Sequence, residues 1–354
     1  MAARIALIGG GWYGCHIAAT LAARGHDVTL HEQHPRLLHE ASGNNQFRLH
    51  LGYHYPRHAP TRLQSRDGFT RFLAAYPDLS QAVADNFYAL ARGESRIDSA
   101  TYALIMAASA LDLAPADPPP GLGAVDAVWR TAERVLLLDR ARAHFTARLA
   151  GIARLASPVQ RLRSAGDHVL VNGARHDVAI DASWGHLRRP PMDCLFEPTL
   201  LLYYQGAPDH PAITLVDGAL CSIYPTERAG IFTLSSVPHT PLGRTRTAAA
   251  ARAIRDRADA ATIARHRARM EQQIRRYLPD FTDRFRYLGP QLAIKTKPLG
   301  PDDDRACRVF AQGRVLSVMS GKIDTIFHAA DRVLEELAAL GLDTPPFPRP
   351  PHLA

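Results

Sequence analysis

Glycines at positions 9, 11 and 14, in the run Ile8-Gly9-Gly10-Gly11-Trp12-Tyr13-Gly14, carry the clearest chemical signal in this 354-residue chain. Gly9 permits a tight turn, Gly11 lets backbone approach a pyrophosphate, and Gly14 lets a helix pack closely on a strand. Glu32 follows about 20 residues later, where a carboxylate can accept hydrogen bonds from adenosine ribose hydroxyls. His50 and His54, four positions apart, raise the question of a metal site. Gly52 and Pro56 argue against the helix such spacing needs, and no third ligand lies nearby, so no metal is expected.

These groups need elements to hold them. Residues 4–8 are an apolar run of strand length that leads into the glycines. Ile17, Ala18, Leu21 and Ala22 have helical character, and Gly25 is a natural helix stop. A second apolar run then ends at Glu32. Strand, glycines, helix, stop, strand and acid in this order predict a βαβ unit that binds a dinucleotide, its helix N-terminus offering N–H groups to phosphate.

Further on, residues 61–76 read as a helix with Phe69, Phe72, Leu73 and Tyr76 on one stripe. The loop 115–123, with Pro118-Pro119-Pro120, is expected to cross between lobes. A helix over 139–149 precedes strands at 169–171 and 178–180. Residues 199–237 turn β-rich, with strands at 200–204, 213–216, 221–224 and 231–234 in an antiparallel meander. One long charged helix is expected over 248–277. A strand at 315–318 then leads through Ser320-Gly321-Lys322 into a helix over 323–340, with a loose Pro-rich tail after it. An α/β lobe is thus split by a β-rich insertion and completed near the C-terminus.

The chain is long enough for two domains. Its 46% hydrophobic and 21% charged residues are those of a soluble globular protein. The net charge of +8 is spread along the chain, and the arginines between Arg252 and Arg276 alternate with acids. That pattern predicts a solvated helix face, and nucleic acid is not an expected partner. Cys15, Cys194, Cys221 and Cys307 form no C-x-x-C pair, which argues against zinc or a disulfide scaffold and fits a reducing cytoplasm. No apolar run approaches the roughly 20 residues of a membrane span, and the first strand begins too early for a signal peptide. A cytoplasmic location without a membrane partner is expected.

Several patches match a known family in order. They are Ala41-Ser42-Gly43-Asn44-Asn45, His50-Leu51-Gly52-Tyr53-His54-Tyr55-Pro56, Leu138-Asp139, Val178-Ala179-Ile180-Asp181-Ala182-Ser183-Trp184-Gly185, Asp302-Asp303-Asp304-Arg305 and Ser320-Gly321-Lys322-Ile323-Asp324-Thr325. With the fingerprint, they resemble the FAD-dependent D-amino-acid oxidase superfamily, which includes glycine and sarcosine oxidases and glycerol-3-phosphate and L-2-hydroxyglutarate dehydrogenases. Residues 50–56 are particularly similar to the hydroxyglutarate dehydrogenase version. The resemblance implies an α/β fold (α+β overall), with a Rossmann-like FAD domain of the glutathione-reductase type and an inserted antiparallel substrate domain. The boundaries it suggests are 1–78, 134–190 and 290–342 for FAD, 79–133 and 191–289 for substrate, and 343–354 for the tail. It also implies FAD contacts at Gly9, Gly11, Trp12, Tyr13, Gly14, Glu32, Gln33, Ser42, Asn44, Asn45, His50, Gly52, Ala182, Trp184, Gly321, Lys322, Ile323, Asp324 and Thr325.

The family's C-terminal loop usually has more glycine than here. Lys322 in that turn could stabilise a reduced, anionic flavin or point to solvent. For catalysis the resemblance points to Arg48 and Arg57 as forks for a substrate carboxylate. It points to His50 as a base, a flavin contact or a packed structural histidine. Tyr53, Tyr55 and Tyr224 could wall a pocket, while Tyr203 and Tyr204 are expected to pack in a sheet. Lys295, or else Lys322, could assist oxygen reduction electrostatically, although strand alternation also allows Lys295 and Lys297 to share a solvent face. The expected reaction is oxidation of a C–N bond of an amine or amino acid, with O2 or another electron acceptor. A 2-hydroxy-acid dehydrogenase is the nearest alternative, ahead of a nicotinamide-dependent dehydrogenase or an RNA-modifying flavoprotein.

Overall fold

The computed structural model describes residues 2–299 and 304–343. Asp302 and Asp303 of the Asp-rich motif, and the expected tail beyond Asp343, lie outside the described residues. The chain divides into two compact units. The first takes the described residues within Met1–Ser42, Ala141–Asp193 and Ala306–Ala354, and the second the described residues within Gly43–Arg140 and Cys194–Arg305.

The first unit is built on a sheet in the order Arg308–Gln312, Val315–Met319, Val178–Asp181, Arg4–Ile8, Asp27–His31, Ala153–Arg154. The fingerprint strand Arg4–Ile8 lies in its interior, parallel to Asp27–His31 and Val178–Asp181. All four of its residues from Ile5 to Ile8 are buried, which explains an unbroken apolar run rather than an alternating one. Helices Trp12–Ala23 and Ile326–Ala339 belong to this unit, with His16 edge-on to Phe327 at 4.5 Å between ring centres. Ala6, Ile8, Ala179 and Val315 share a cluster with Val169 and Val171 of a small antiparallel sheet. The central strands end together at Ile8, His31 and Asp181, the edge at which open α/β sheets bind ligands.

The second unit contains a mixed sheet in the order Arg286–Pro298, Cys194–Gln205, Ile231–Ser236, Cys221–Pro225, Ala212–Val216, Asn86–Ala91, Val125–Arg130, Ala114–Pro115. The expected meander holds for three strands, Ala212–Val216, Cys221–Pro225 and Ile231–Ser236; the long strand Cys194–Gln205 pairs not with its sequence neighbour Ala212–Val216 but with Ile231–Ser236. One face supplies Phe87, Ala89, Leu202, Tyr204, Ile213, Ile223, Phe232 and Leu234 to a core closed by Met270, Ile274, Tyr277 and Phe281. By strand alternation the opposite face carries Asn86, Tyr88, Thr214, Ser222, Tyr224 and Thr233, all of them buried. A buried sheet face made of polar side chains is costly unless each finds a partner.

Three sequence expectations change. Residues 43–78, 134–140, 290–299 and 304–305 belong to the second unit, not to the dinucleotide unit. The cause is strand pairing: Arg48–Leu49 and Ser80–Ala82 both pair with Arg134–Leu136, and Arg286–Pro298 runs along Cys194–Gln205. The loop 115–123 stays within the second unit, where the Gly123 N–H donates to the Tyr277 carbonyl at 2.8 Å, and the chain passes between units elsewhere. The single long helix is two, Ala248–Asp256 and Ala260–Ile274. Asp259 starts the second by accepting the Thr262 N–H at 2.8 Å, a local bond that competes with helix continuation.

Candidate active site

In the first unit the glycines form a cradle whose tightness can be read atom by atom. Gly9 has φ +101°, and a Cβ there would lie 2.9 Å from the Ala182 carbonyl oxygen. A Cβ on Gly11 would lie 2.7 Å from Ser42 Oγ, and one on Gly14 only 1.8 Å from the Gly9 carbonyl oxygen. Helix Trp12–Ala23 starts at Gly11 with no side-chain cap and no acid in its first turn, so its positive end suits an anion. Ser42 Oγ accepts the Trp12 N–H at 3.1 Å and so ties the small polar loop to the cradle. The residues therefore fit the pyrophosphate of a dinucleotide.

Glu32 is buried, and its carboxylate underpins the loop: Oε2 accepts the Gly10 N–H at 2.6 Å and Oε1 the His34 N–H at 2.8 Å. A carboxylate offers about four acceptor positions, so capacity for ribose hydroxyls is left. Trp12 turns into the core, edge-on to Phe145, and contributes backbone rather than its ring. Gln33 is exposed. The Trp184 ring stands 3.2 Å from where a Gly321 Cβ would be, so Gly321 packs closely against it. The Lys322 carbonyl accepts the Tyr13 hydroxyl, the Thr325 N–H and the Thr325 hydroxyl. Ile323, Asp324 and Thr325 form a single 3-10 turn, with Asp324 and Thr325 buried.

The second unit holds a separate buried cluster. Arg48 and Leu49 pair with Val135 and Arg134, and the next step of this antiparallel register sets His50 against Glu133. His50 Nδ1 lies 3.4 Å from Glu133 Oε1, which also accepts the Leu51 N–H at 3.0 Å. The Tyr88 hydroxyl donates to Glu133 Oε2 at 2.7 Å and accepts Arg48 Nη1–H at 3.1 Å. The Arg48 guanidinium lies 4.0 Å above the Tyr224 ring, a favourable cation–π position. Burial alone would raise the Glu133 carboxyl, but His50, Arg48 and Tyr88 outweigh it and bring its pKa down to about 2.

Arg48 and Arg57 differ in how their forks are used. Arg57 grips Asp217 through Nε–Oδ2 at 2.6 Å and Nη2–Oδ1 at 3.3 Å. The Nε and Nη2 of Arg57 are thus already taken up by a carboxylate of the protein. The same two atoms of Arg48, Nε and Nη2, are buried and have no hydrogen-bond partner among the described residues. A buried, charged donor pair without an acceptor is a strong demand for one.

Other expected site residues are placed differently. Tyr53 is fully buried, packs on Tyr88 and donates to the Asp112 carbonyl at 2.7 Å, as part of the core. Tyr55 is buried beside His50 and His54, and its carbonyl accepts from Arg62. Gly52, with φ +122°, is needed because a Cβ would meet the Arg62 carbonyl at 2.9 Å. Asn45 accepts the Phe47 N–H through its side chain, shaping the turn; Asn44 lies in the same loop. Lys297 pairs with buried Glu197, which Arg244 also meets at 3.2 Å, so Lys297 does not simply face solvent. Burial, with Lys297 and Arg305 nearby, lowers the Lys295 ammonium to a pKa of about 8 despite Glu197 across the strand pair. Among the described residues no group of three His, Cys, Asp or Glu is arranged to hold a metal, and no helix is long and apolar enough to cross a membrane.

Glu133 escapes a reading of the sequence because its partners lie at positions 48, 50 and 88; its only local sign is an acid set against the apolar run 135–138. Its low pKa carries a testable consequence. A depressed carboxylate stabilises the fold above its ordinary pKa of 4.5, and that stabilisation fades as pH falls towards 2. Glu133→Gln should therefore lower unfolding free energy by about 3 kcal/mol at neutral pH. In urea titrations the gap from the parent protein should be constant above pH 5 and narrow progressively below pH 4.5.

Comparison with known proteins fits these features. The DAO family of FAD dependent oxidoreductases matches residues 4–290. The FAD-dependent monooxygenase FPY4 of Fusarium mangiferae is 57% identical over 331 residues, covering 93% of this chain and 90% of that protein. Among solved structures, glycine oxidase from Geobacillus kaustophilus aligns with TM-score 0.75 at 13% identity, covering 98% of this chain and 96% of that one. Dithionite-reduced L-alpha-glycerophosphate oxidase from Mycoplasma pneumoniae, with FAD bound, aligns with TM-score 0.72 at 14% identity, covering 99% and 97%.

Proposed function

The chain belongs to the DAO family of FAD-dependent oxidoreductases, and on that footing we propose that it oxidises the C–N bond of a small amine or amino acid bearing a carboxylate. The observation that carries this reading is the Arg48 fork, buried and without an acceptor among the described residues, in a protein whose Arg57 fork already grips a carboxylate. A substrate carboxylate matches the planar geometry of Nε and Nη2 and would satisfy both.

FAD, when bound, supplies the two-electron acceptor. The Gly9–Gly11–Gly14 cradle and the first turn of helix Trp12–Ala23 would hold its pyrophosphate, with Glu32 and Ser42 bracing that loop. Arg48 would bind and orient the substrate, and Tyr224 would support the guanidinium from below. His50, set by Glu133, would hold the proton released from the substrate nitrogen. The substrate carbon loses two electrons and a proton (a hydride), the nitrogen loses a second proton, and water converts the resulting imine to a carbonyl compound and ammonia. Dioxygen would take the electron pair and become peroxide.

The His50–Glu133 pair also favours a second reading, oxidation of a 2-hydroxy acid, because a hydroxyl needs a base more than an amine does. Anaerobic bleaching of the flavin absorbance with panels of amino acids and 2-hydroxy acids, followed by product analysis, separates the two. A keto acid with ammonia supports the C–N reading, and a keto acid alone supports the second. Incorporation of labelled oxygen from O2 into the organic product would overturn both in favour of the activity named for FPY4.

A further inference from the structure

We infer that Tyr13 is a positioning residue that couples the pyrophosphate cradle to the turn at 320–325, so that its hydroxyl contributes to FAD affinity through that turn. This rests on FAD dependence and is independent of which substrate is oxidised. Tyr13 is a variable position of the glycine fingerprint, in the first turn of helix Trp12–Ala23. Its ring leaves the cradle for the far end of the chain, more than 300 residues away in sequence.

The hydroxyl donates to the Lys322 carbonyl and lies 2.7 Å from Thr325 Oγ1. Thr325 Oγ1 is in turn 2.8 Å from Ser320 Oγ and donates to the same Lys322 carbonyl at 3.0 Å. The Lys322 N–H reaches Ser320 Oγ at 3.4 Å. One phenol therefore joins both ends of the turn and its middle. Burial, with Cys307 adjacent, drives the Tyr13 pKa well up, so the group stays a neutral donor.

A second set of contacts places this turn beside the cradle. Gly321 packs under the Trp184 ring, and Ala182, two residues before Trp184, has its carbonyl 2.9 Å from the Gly9 Cβ position. The Ala182 N–H donates to the Ile8 carbonyl at 2.9 Å, on the same strand end that feeds the glycines. A dinucleotide lying on Gly9, Gly11 and Gly14 consequently borders a turn that Tyr13 holds in shape. Without that bond the turn must be ordered when the cofactor arrives, and the ordering opposes binding.

The test is Tyr13→Phe, which removes one oxygen and keeps the ring, with Thr325→Val as its partner in a double-mutant cycle. Apoprotein is titrated with FAD, and hydrogen exchange is followed at residues 320–326. We expect FAD affinity to fall about tenfold for Tyr13→Phe, faster exchange in the turn, and changes that do not add in the double variant. The melting temperature of the apoprotein should move by only a few degrees, and the bound flavin should show an altered visible band shape. Unchanged FAD affinity, within twofold, would overturn the inference, whether or not the apoprotein melts earlier. A tenfold loss that Thr325→Val neither shares nor modifies would overturn it as well, since the effect would then not pass through the turn.

Discussion

Gly14→Ala is expected to yield a protein without bound FAD. The new methyl would lie 1.8 Å from the Gly9 carbonyl oxygen and 2.8 Å from Leu7 Cδ2, well inside any tolerable contact. Neither neighbour can yield cheaply. Gly9 is pinned by its N–H bond to the His31 carbonyl at 2.8 Å, and Leu7 is fully buried in the central strand. Relief requires the first turn of helix Trp12–Ala23 to move off the strand end, and that turn supplies the N–H groups for the pyrophosphate. A clash of this kind costs about 4 kcal/mol or more. Purified variant should be colourless at 450 nm and should melt well below the parent. Full flavin occupancy in Gly14→Ala would refute the cradle. By contrast, Gly25→Ala meets no atom within 4 Å; its cost is confined to the strain of φ +87°, and it should remain yellow.

The second large effect is expected at Arg48. Arg48→Lys keeps a positive charge near Glu133 but has no planar fork. If Nε and Nη2 hold the substrate carboxylate, kcat/KM for carboxylate-bearing substrates should fall by about 100-fold or more, chiefly through KM. Oxidation of an amine that lacks the carboxylate should be slow in the parent and equally slow in the variant. Equal loss on both substrate types would point instead to collapse of the Arg48–Tyr88–Glu133 network. Arg48→Met separates the two roles further, because it takes the guanidinium charge away from the buried Glu133 and leaves it with His50, Tyr88 and the Leu51 N–H. That variant should lose about 3 kcal/mol of stability in addition to its substrate affinity. Arg57→Lys is the matched control. Its fork is committed to Asp217, so it should cost stability with little change in KM.

The two units bury polar groups in different ways. In the dinucleotide unit, buried polar groups such as Glu32 and Thr325 have partners inside the protein, and the first helix leaves its N-terminus without a side-chain cap. In the second unit, Arg48 is enclosed with two donor atoms unmatched among the described residues. Unmatched buried donors destabilise a fold, and a position that carries them is more economically explained by a ligand than by packing. The Tyr224 face and the Tyr88 hydroxyl keep the guanidinium in one orientation, which lowers the entropy lost when a carboxylate binds.

The sequence by itself determined the dinucleotide cradle, because its parts are neighbours along the chain. Gly9, Gly11 and Gly14 constrain a single turn, and the strand before it and helix after it are set by local periodicity. The antiparallel meander at 212–236 was legible for the same reason: short apolar runs alternate with turn residues, whereas the pairing of Cys194–Gln205 with Ile231–Ser236 was not. The break between helices at Asp259 was also present locally, as an aspartate three residues before Thr262, but the surrounding arginine-rich periodicity masked it. Tertiary structure alone decided which arginine is committed. Arg48 and Arg57 look alike in sequence, and only the approach of Asp217, 160 positions further on, distinguishes them. It also turned Tyr53 into core and drew Glu133 to His50 across 83 positions, through a two-residue strand with little signal of its own. Contacts of that range depend on which strands pair, and pairing is settled by burial of the whole sheet rather than by any short run of residues.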